Sequence, residues 1–322
     1  MINELESKVL SGIQLTKKDA CALAKTDHKF LPDLFAAAER IRRSFFGDSI
    51  DICAIVNAKS GACPEDCAYC AQSSYNKSET AIFPFIGSEG ILEKAIEAKT
   101  IGVRKFSIVT SGRKPSKEEL KIIAVTIERL SQIGIGACAS LGLLSRDELS
   151  YLRDHGLIRY HNNLETSERF FPYICTTHRF SEKIRTIEDA KAVGLSICSG
   201  GIFGMGETWQ DRVDLIFAVR DLDANSMPIN FLSPIRGTRL DHLPCLSPED
   251  ALKIVSLARF ILTKREIRIC GGRMQTLGGH HAMIFKAGAD SLMTGNYLVT
   301  TGRTFENDFQ MLKDQGLLVR TD

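Results

Sequence analysis

Residues 50–70 read IDICAIVNAKSGACPEDCAYC. The stretch begins as a short β-rich run, IDICAIV, and ends in three thiols, Cys63, Cys67 and Cys70, within eight residues. From this point onward similar β-rich runs alternate with amphipathic segments, the pattern of a parallel sheet with crossover helices. Eight strands are predicted, beginning near Ile50, Lys105, Gly136, Arg159, Ser196, Met227, Glu266 and Ser291. The helices expected between them are Glu89–Thr100, Lys117–Leu130, Arg146–His155, Ser181–Val193, Gln210–Asp221 and Pro248–Leu262, several opening on Ser or Thr caps. Such units over roughly 250 residues match an α/β fold of the (β/α)8 TIM type, whose sites lie at the carboxyl ends of the strands. An open doubly wound sheet is the alternative. Residues 1–46 read as an N-terminal helical extension, with Thr16 as a cap and a helix over Leu31–Phe46 that opens on Pro32. The barrel is expected over 47–304 and a closing helix and tail over 305–322, with no low-complexity linker between them.

The 322 residues are 44% hydrophobic and 25% charged, enough to bury a sizeable core. A net charge of +2 without a basic tract argues against a nucleic-acid partner. The start, MINELESKVLSG, lacks a signal-peptide core, and no apolar run reaches the roughly 18 residues that span a bilayer. A cytoplasmic chain without a membrane partner is expected. There, ten cysteines are metal or redox ligands and core residues rather than disulfides. Cys21, Cys53, Cys175 and Cys245 read as small buried hydrophobes.

Cys63, Cys67 and Cys70 follow the first predicted strand directly, where catalysis belongs in a barrel. Three thiolates leave one iron of a four-iron cubane open to a ligand or substrate. Zinc with a fourth ligand from elsewhere is the competing reading, since structural zinc sites also begin with a Cys-x-x-Cys pair. Such sites usually offer a second pair or spaced histidines, which favours the cluster.

The Cys-x-x-x-Cys-x-x-Cys spacing, with aromatic Tyr69 before its last member, resembles the radical S-adenosylmethionine superfamily. That resemblance implies a 4Fe–4S cluster on Cys63, Cys67 and Cys70 that reductively cleaves S-adenosylmethionine to a 5′-deoxyadenosyl radical. Read outward, Cys63 to Ser74 (CPEDCAYCAQSS) is similar to the biotin synthase family. The likeness continues through Tyr160–Ser167 (YHNNLETS), Ile197–Thr208 (ICSGGIFGMGET), Pro228-Ile-Asn230, Gly237-Thr238, Gly272-Arg273 and Ala287-Gly-Ala-Asp-Ser291. It implies radical-mediated insertion of sulfur into dethiobiotin to form biotin, with sulfide from an auxiliary iron–sulfur cluster. It also implies a flavodoxin or ferredoxin reductant and a homodimer.

In familiar members three cysteines and an arginine hold a 2Fe–2S auxiliary cluster. The resemblance sets Ser107, Cys138, Cys198 and Arg273 against those ligands. A hydroxyl replaces one thiolate, and an alkoxide forms far less readily and suits iron–sulfur chemistry less well. Cys270, three residues before Arg273, is a thiol gained. Gly271-Gly272 can bend the strand so that both residues face inward. The expected site is therefore Cys138, Cys198 and Cys270, with Arg273 as a ligand or behind one, around a 2Fe–2S or a four-iron cluster carrying extra sulfide. The competing reading makes these thiols inert. By the same resemblance Asn163 and Asn230 hydrogen-bond the ureido ring, Tyr69 is a binding residue of S-adenosylmethionine, Glu165 meets its ribose, and Lys183 its carboxylate, without an arginine's fork. His161 and His178 depart from the family and read as polar residues near a rim. Gly200-Gly201 and Gly204-x-Gly206 fail the dinucleotide spacing; they read as close approaches of backbone to S-adenosylmethionine, followed by a helix opened at Thr208.

Two other functions use the same thiols. A hydrogenase-maturation or methylornithine-forming relative would need no sulfur donor, and a redox sensor would need no substrate. Formation of 5′-deoxyadenosine separates enzyme from sensor.

Overall fold

Alternate residues of a strand take opposite faces of a sheet. Along β1 (Ser49–Lys59) Ile50, Ile52, Ala54, Val56 and Ala58 join the apolar core shared with the helices, while Asp51, Cys53 and Ile55 turn the other way. The same parity runs through β2 (Lys105–Thr110), β3 (Gly136–Ser140), β4 (Arg159–His161), β5 (Ser196–Cys198), β6 (Gly201–Phe203), β7 (Ser226–Phe231), β8 (Glu266–Ile269) and β9 (Ser291–Met293). In this computed structural model, which describes residues 1–320, every pairing among these strands is parallel. The sheet closes where Asp51 and Cys53 of β1 register with Ser291 and Met293 of β9. This is the (β/α)8 barrel with an N-terminal helical extension, and the open sheet is excluded by that closure.

The fifth strand position is broken in two. Both β5 and β6 pair with β7, and Gly200 lies between them. A Cβ on Gly200 would stand 2.0 Å from the carbonyl oxygen of Pro228, and one on Gly201 2.3 Å from that of Glu165. These two glycines therefore let neighbouring strand ends touch, which corrects their reading as backbone reserved for S-adenosylmethionine. A short tenth strand, β10 (Leu318–Val319), pairs with Ser49 and Ile50 after the helix Phe305–Asp314. This strand falls within the expected closing helix and tail, where two residues are too few to show a period and their partner is distant in sequence. Residues 321 and 322 of that tail lie outside the described residues.

The crossover helices are Gly87–Thr100, Lys117–Gln132, Arg146–Asp154, Phe180–Ala192, Trp209–Asp221 and Pro248–Leu262. Ser116, Ser145, Thr208 and Ser247 each accept the backbone N–H three residues on, worth about 1 kcal/mol apiece. The N-terminal helices Ile2–Leu10, Lys17–Ala24 and Leu31–Phe46 belong to the same apolar core. Lys253 fastens them by donating its buried Nζ to the Thr26 carbonyl at 2.9 Å. No described helix is long and apolar enough to cross a membrane.

At one end of the barrel interior the side chains are charged. Lys105 Nζ stands 3.1 Å from Asp51 and 3.7 Å from Glu266, and Arg159 Nη1 lies 2.7 Å from Glu266. Arg268 pairs with Asp51 and, at 3.2 Å, with Glu266. This ionic layer floors the barrel interior below the chambers.

Candidate active site

The loop after β1 is fastened by its own neighbours. Gly61 has φ +74° and donates its N–H to Gln72 Oε1 at 3.1 Å; Cys63 donates to the Gln72 carbonyl at 3.0 Å. Asn76 donates to the carbonyls of both Cys67 (3.1 Å) and Cys70 (2.8 Å). Asp66 accepts the backbone N–H (2.8 Å) and hydroxyl (2.6 Å) of Thr176, clamping the loop to the 174–178 turn. The three thiols are half-buried, form no disulfide, and together line a pocket of about 230 Å³ at the carboxyl ends of the strands. Burial pushes Cys70 up to about 11.

The expected S-adenosylmethionine residues share that pocket. Tyr69, Glu165 and Lys183 all line it. Glu165 adopts φ +72°, a left-handed conformation costly for a residue with a side chain, and its peptide N–H is held by the Gly200 carbonyl at 3.0 Å. Its carboxyl is buried, and burial raises its pKa against the opposing pull of Lys183 and Tyr69. One carboxyl oxygen, Oε2, has no hydrogen-bond partner. Lys183 reaches Asn162 Oδ1 at 3.4 Å.

A second chamber of about 270 Å³ adjoins the first, and Tyr69, Cys70, Gln72, His161, Asn163 and Leu298 border both. Its wall brings Cys198 of β5 and Cys270, which follows β8, to the same space as Asn163 and Asn230. It also contains Cys53 and Arg268. All three thiols are fully buried, which raises each pKa. Ser107 lines the chamber with its hydroxyl unpartnered. Cys138 is buried beside Ser107 in register, on the strand face shared with Ser140 of the wall, though its own sulfur leans toward the Gly136 carbonyl at 3.9 Å.

Arg273 goes elsewhere. Its guanidinium donates to Tyr297 Oη (2.9 Å) and to both oxygens of Asp308 (3.0 and 2.5 Å), fully buried and outside the chamber wall. Arg268 occupies the place expected of it, because residues two apart share a strand face and residues three apart do not. Gly272 does take φ +78°, but it uses that freedom to clear the Phe231 carbonyl and open the short helix Arg273–Leu277. The reading of Cys53 as mere filling missed it for want of a partner visible nearby in sequence. The same two-residue alternation on β1, set beside β8, would have found it.

His178 is likewise not a rim residue. It is buried, with Nδ1 2.5 Å from Glu65 and 3.3 Å from Cys175, whose sulfur lies 3.9 Å from that of Cys67. Hydrogen bonds with Cys67 and His178 lower the pKa of Cys175 to about 4, while the same contact and burial push that of Cys67 up.

Residues 58–219 match the Radical SAM superfamily, and residues 228–318 match the Biotin and Thiamin Synthesis associated domain. A biotin synthase of Thermodesulfovibrio yellowstonii is 52% identical over 293 residues, 91% of this chain and 92% of that one. One of Pelotomaculum thermopropionicum is 43% identical over 320 residues, 99% of this chain and all of the other. The chain belongs to the biotin synthase family. It is a radical S-adenosylmethionine enzyme of sulfur insertion, with a 4Fe–4S cluster and S-adenosylmethionine as cofactors, dethiobiotin as substrate and biotin as product. The crystal structure of a methylornithine synthase superposes with a TM-score of 0.85 at 19% identity, covering 98% of this chain and 97% of that one, and shares the fold. The [FeFe]-hydrogenase maturase HydG does so at 0.84 and 16%, covering this whole chain and 75% of the other.

The residues present fit these groups. Three unbridged thiols surround one pocket, and an orphaned, buried carboxyl oxygen beside them is an acceptor in search of hydroxyl donors.

Proposed function

We propose that the two adjoining chambers divide the reaction, with radical generation in the first and sulfur delivery in the second. Cys63, Cys67 and Cys70 would hold the 4Fe–4S cluster, while Cys53, Cys138, Cys198 and Cys270 would hold an auxiliary cluster in the barrel. Once bound, these groups supply hydrogen abstraction from saturated carbon and sulfide for the new carbon–sulfur bonds. The convergence of Cys53, Cys198 and Cys270 on a chamber that shares Tyr69, Cys70 and Asn163 with the triplet's pocket carries this reading.

The remaining residues position and shield. Glu165 presents Oε2 to the ribose hydroxyls, and Lys183 offers its cation to the methionine carboxylate. Asn230 accepts the Gly271 N–H at 2.9 Å and donates to the Gly201 carbonyl at 3.3 Å, which leaves one N–H and one lone pair for the ureido ring. Asn163 faces it from the wall common to both chambers. Tyr69, half-buried in the wall common to both, separates the two and excludes water. Four thiols are more than a 2Fe–2S centre with an arginine ligand requires, so the auxiliary centre is a four-iron cluster able to carry an additional sulfide, with Arg268 beneath it as a fixed counter-charge. A flavodoxin or ferredoxin as reductant, a homodimer as the assembly and a cytoplasmic site of action follow from family likeness.

Anaerobic reconstitution with iron and sulfide quantitation and Mössbauer spectroscopy tests the assignment. About eight irons per chain are expected for the native chain and about four for the variant C53A/C198A. About four irons in the native chain, with a single cluster signal, would refute it.

A further inference from the structure

The last backbone bond between β1 and the β9 segment runs from the Thr294 N–H to the Cys53 carbonyl at 3.1 Å. Above it the barrel wall is a loop, residues 295–303. The ends of this loop meet: Gly295 donates to the Arg303 carbonyl at 3.2 Å, and a Cβ on Gly302 would stand 1.9 Å from the Gly295 carbonyl oxygen. Its tip is a tight turn, with the Tyr297 N–H on the Thr300 carbonyl at 3.0 Å. Tyr297, Leu298, Val299 and Thr300 form one side of the second chamber. Behind the loop lies an outer cavity of about 540 Å³, which Gly295, Asn296 and Tyr297 also line. The loop is therefore a partition with space on both sides.

Among the described residues no backbone hydrogen bond joins 295–302 to the strands, so side chains hold the partition in place. Asn57 donates its Nδ2 to the Leu298 carbonyl at 3.0 Å, and Arg273 donates its Nε to Tyr297 Oη at 2.9 Å. Asp308 steadies the tip and the base together, accepting at 3.0 Å both from Arg273 and from Arg303 Nε. An arginine that lies outside the chamber thus acts on its wall through a phenol.

The chamber has two kinds of surface. Asn163 and Asn230 supply amides, while Ile55, Met293, Leu298 and Val299 supply an apolar side. Leu298 and Met293 are only half-buried and Val299 is exposed, so this apolar side is left open to a ligand. Dethiobiotin has the matching halves, a neutral cyclic urea and a saturated chain.

We propose that Tyr297, clamped by Arg273, is a positioning residue that holds Leu298 and Val299 against the saturated chain of dethiobiotin and so sets the chain length the enzyme accepts. This rests on the second chamber as the place of sulfur delivery.

Tyr297→Phe keeps the ring and removes only the hydroxyl. In the anaerobically reconstituted, full-length enzyme it should retain the native iron content and raise the KM for dethiobiotin about tenfold, the effect of one hydrogen bond to a charged group, a larger change than in kcat. The native enzyme should lose about fourfold in kcat/KM for each methylene removed from the substrate chain, and Y297F much less; a tie that only stabilised the fold would leave that ratio unmoved. Limited proteolysis of the iron-stripped chain reads the clamp without any cluster: Y297F and Asn57→Leu should each be cut within 295–303 faster than the native chain, with the rest of the barrel intact. A native KM and native chain-length discrimination in Y297F overturn the proposal. Loss of auxiliary iron from Y297F also overturns it, since the hydroxyl would then serve the cluster, and equal cleavage of native and variant chains overturns the clamp. About four irons in the native enzyme would instead refute the reading of the chamber, and the cleavage rates would still decide whether Arg273 and Tyr297 hold the loop.

Discussion

Arg273 and Asp308 form a doubly hydrogen-bonded ion pair with both side chains fully buried, joining the turn after β8 to the helix Phe305–Asp314. Arg303 adds a third contact to the same carboxylate at 3.0 Å. Such a pair costs most when one partner is removed, since the other is left charged and alone. Arg273→Met should lower stability by about 3–5 kcal/mol in urea unfolding, while the folded protein keeps its full iron and sulfide. Loss of auxiliary iron from folded Arg273→Met would return this arginine to the ligand set.

Cys198→Ala removes a thiol that faces Cys53 and Cys270 across the second chamber. The variant should lose sulfur insertion and the auxiliary cluster's visible absorbance, yet still form 5′-deoxyadenosine from S-adenosylmethionine under reducing, anaerobic conditions. Loss of both activities together would contradict the division between chambers.

Glu165→Gln keeps the shape of the side chain and removes its charge. A charged hydrogen bond contributes about 1.5–3 kcal/mol, so S-adenosylmethionine should bind roughly 10- to 100-fold more weakly in anaerobic calorimetry. An unchanged affinity would remove Glu165 from the ribose site.

The floor of the barrel predicts an acid-side weakness. Glu266 is half-buried, and Arg268 and Arg159 outweigh the cost of that desolvation and hold its carboxyl well below the usual range; Asp51 is lowered by Arg268 in the same way. A carboxyl whose pKa is lower folded than unfolded stabilises the fold above its unfolded pKa, and loses that contribution as pH falls toward the folded value. Stability should therefore decline below about pH 4.5, followed by urea midpoints across pH. Glu266→Gln should cost about 3 kcal/mol at neutral pH and flatten the decline; a slope equal to that of the native chain would refute the role of this group.

Much of the barrel could be read locally. The helices Leu31–Phe46 and Pro248–Leu262 fall where their periodicity and Pro starts put them, and the strands begin within a residue of their expected positions. Caps at Ser116, Ser145 and Thr208 act on the third residue after them, a relation contained in a few adjacent letters. The break at Gly200 and the pairing of Leu318 with Ser49 could not be read in this way, because each depends on a strand remote in the chain.

The sequence by itself determined the barrel, the thiol triplet and the kinship with biotin synthases, since alternation, capping and a dense motif are properties of neighbouring residues. Only the tertiary structure decided which distant groups meet. Closure of β1 onto β9 is what sets Cys53 opposite Cys198 and Cys270. The 174–178 turn folding back on the triplet loop is what brings Cys175 and His178 to Cys67. Those contacts arise from backbone hydrogen bonds between segments far apart in the chain, and no local pattern encodes them.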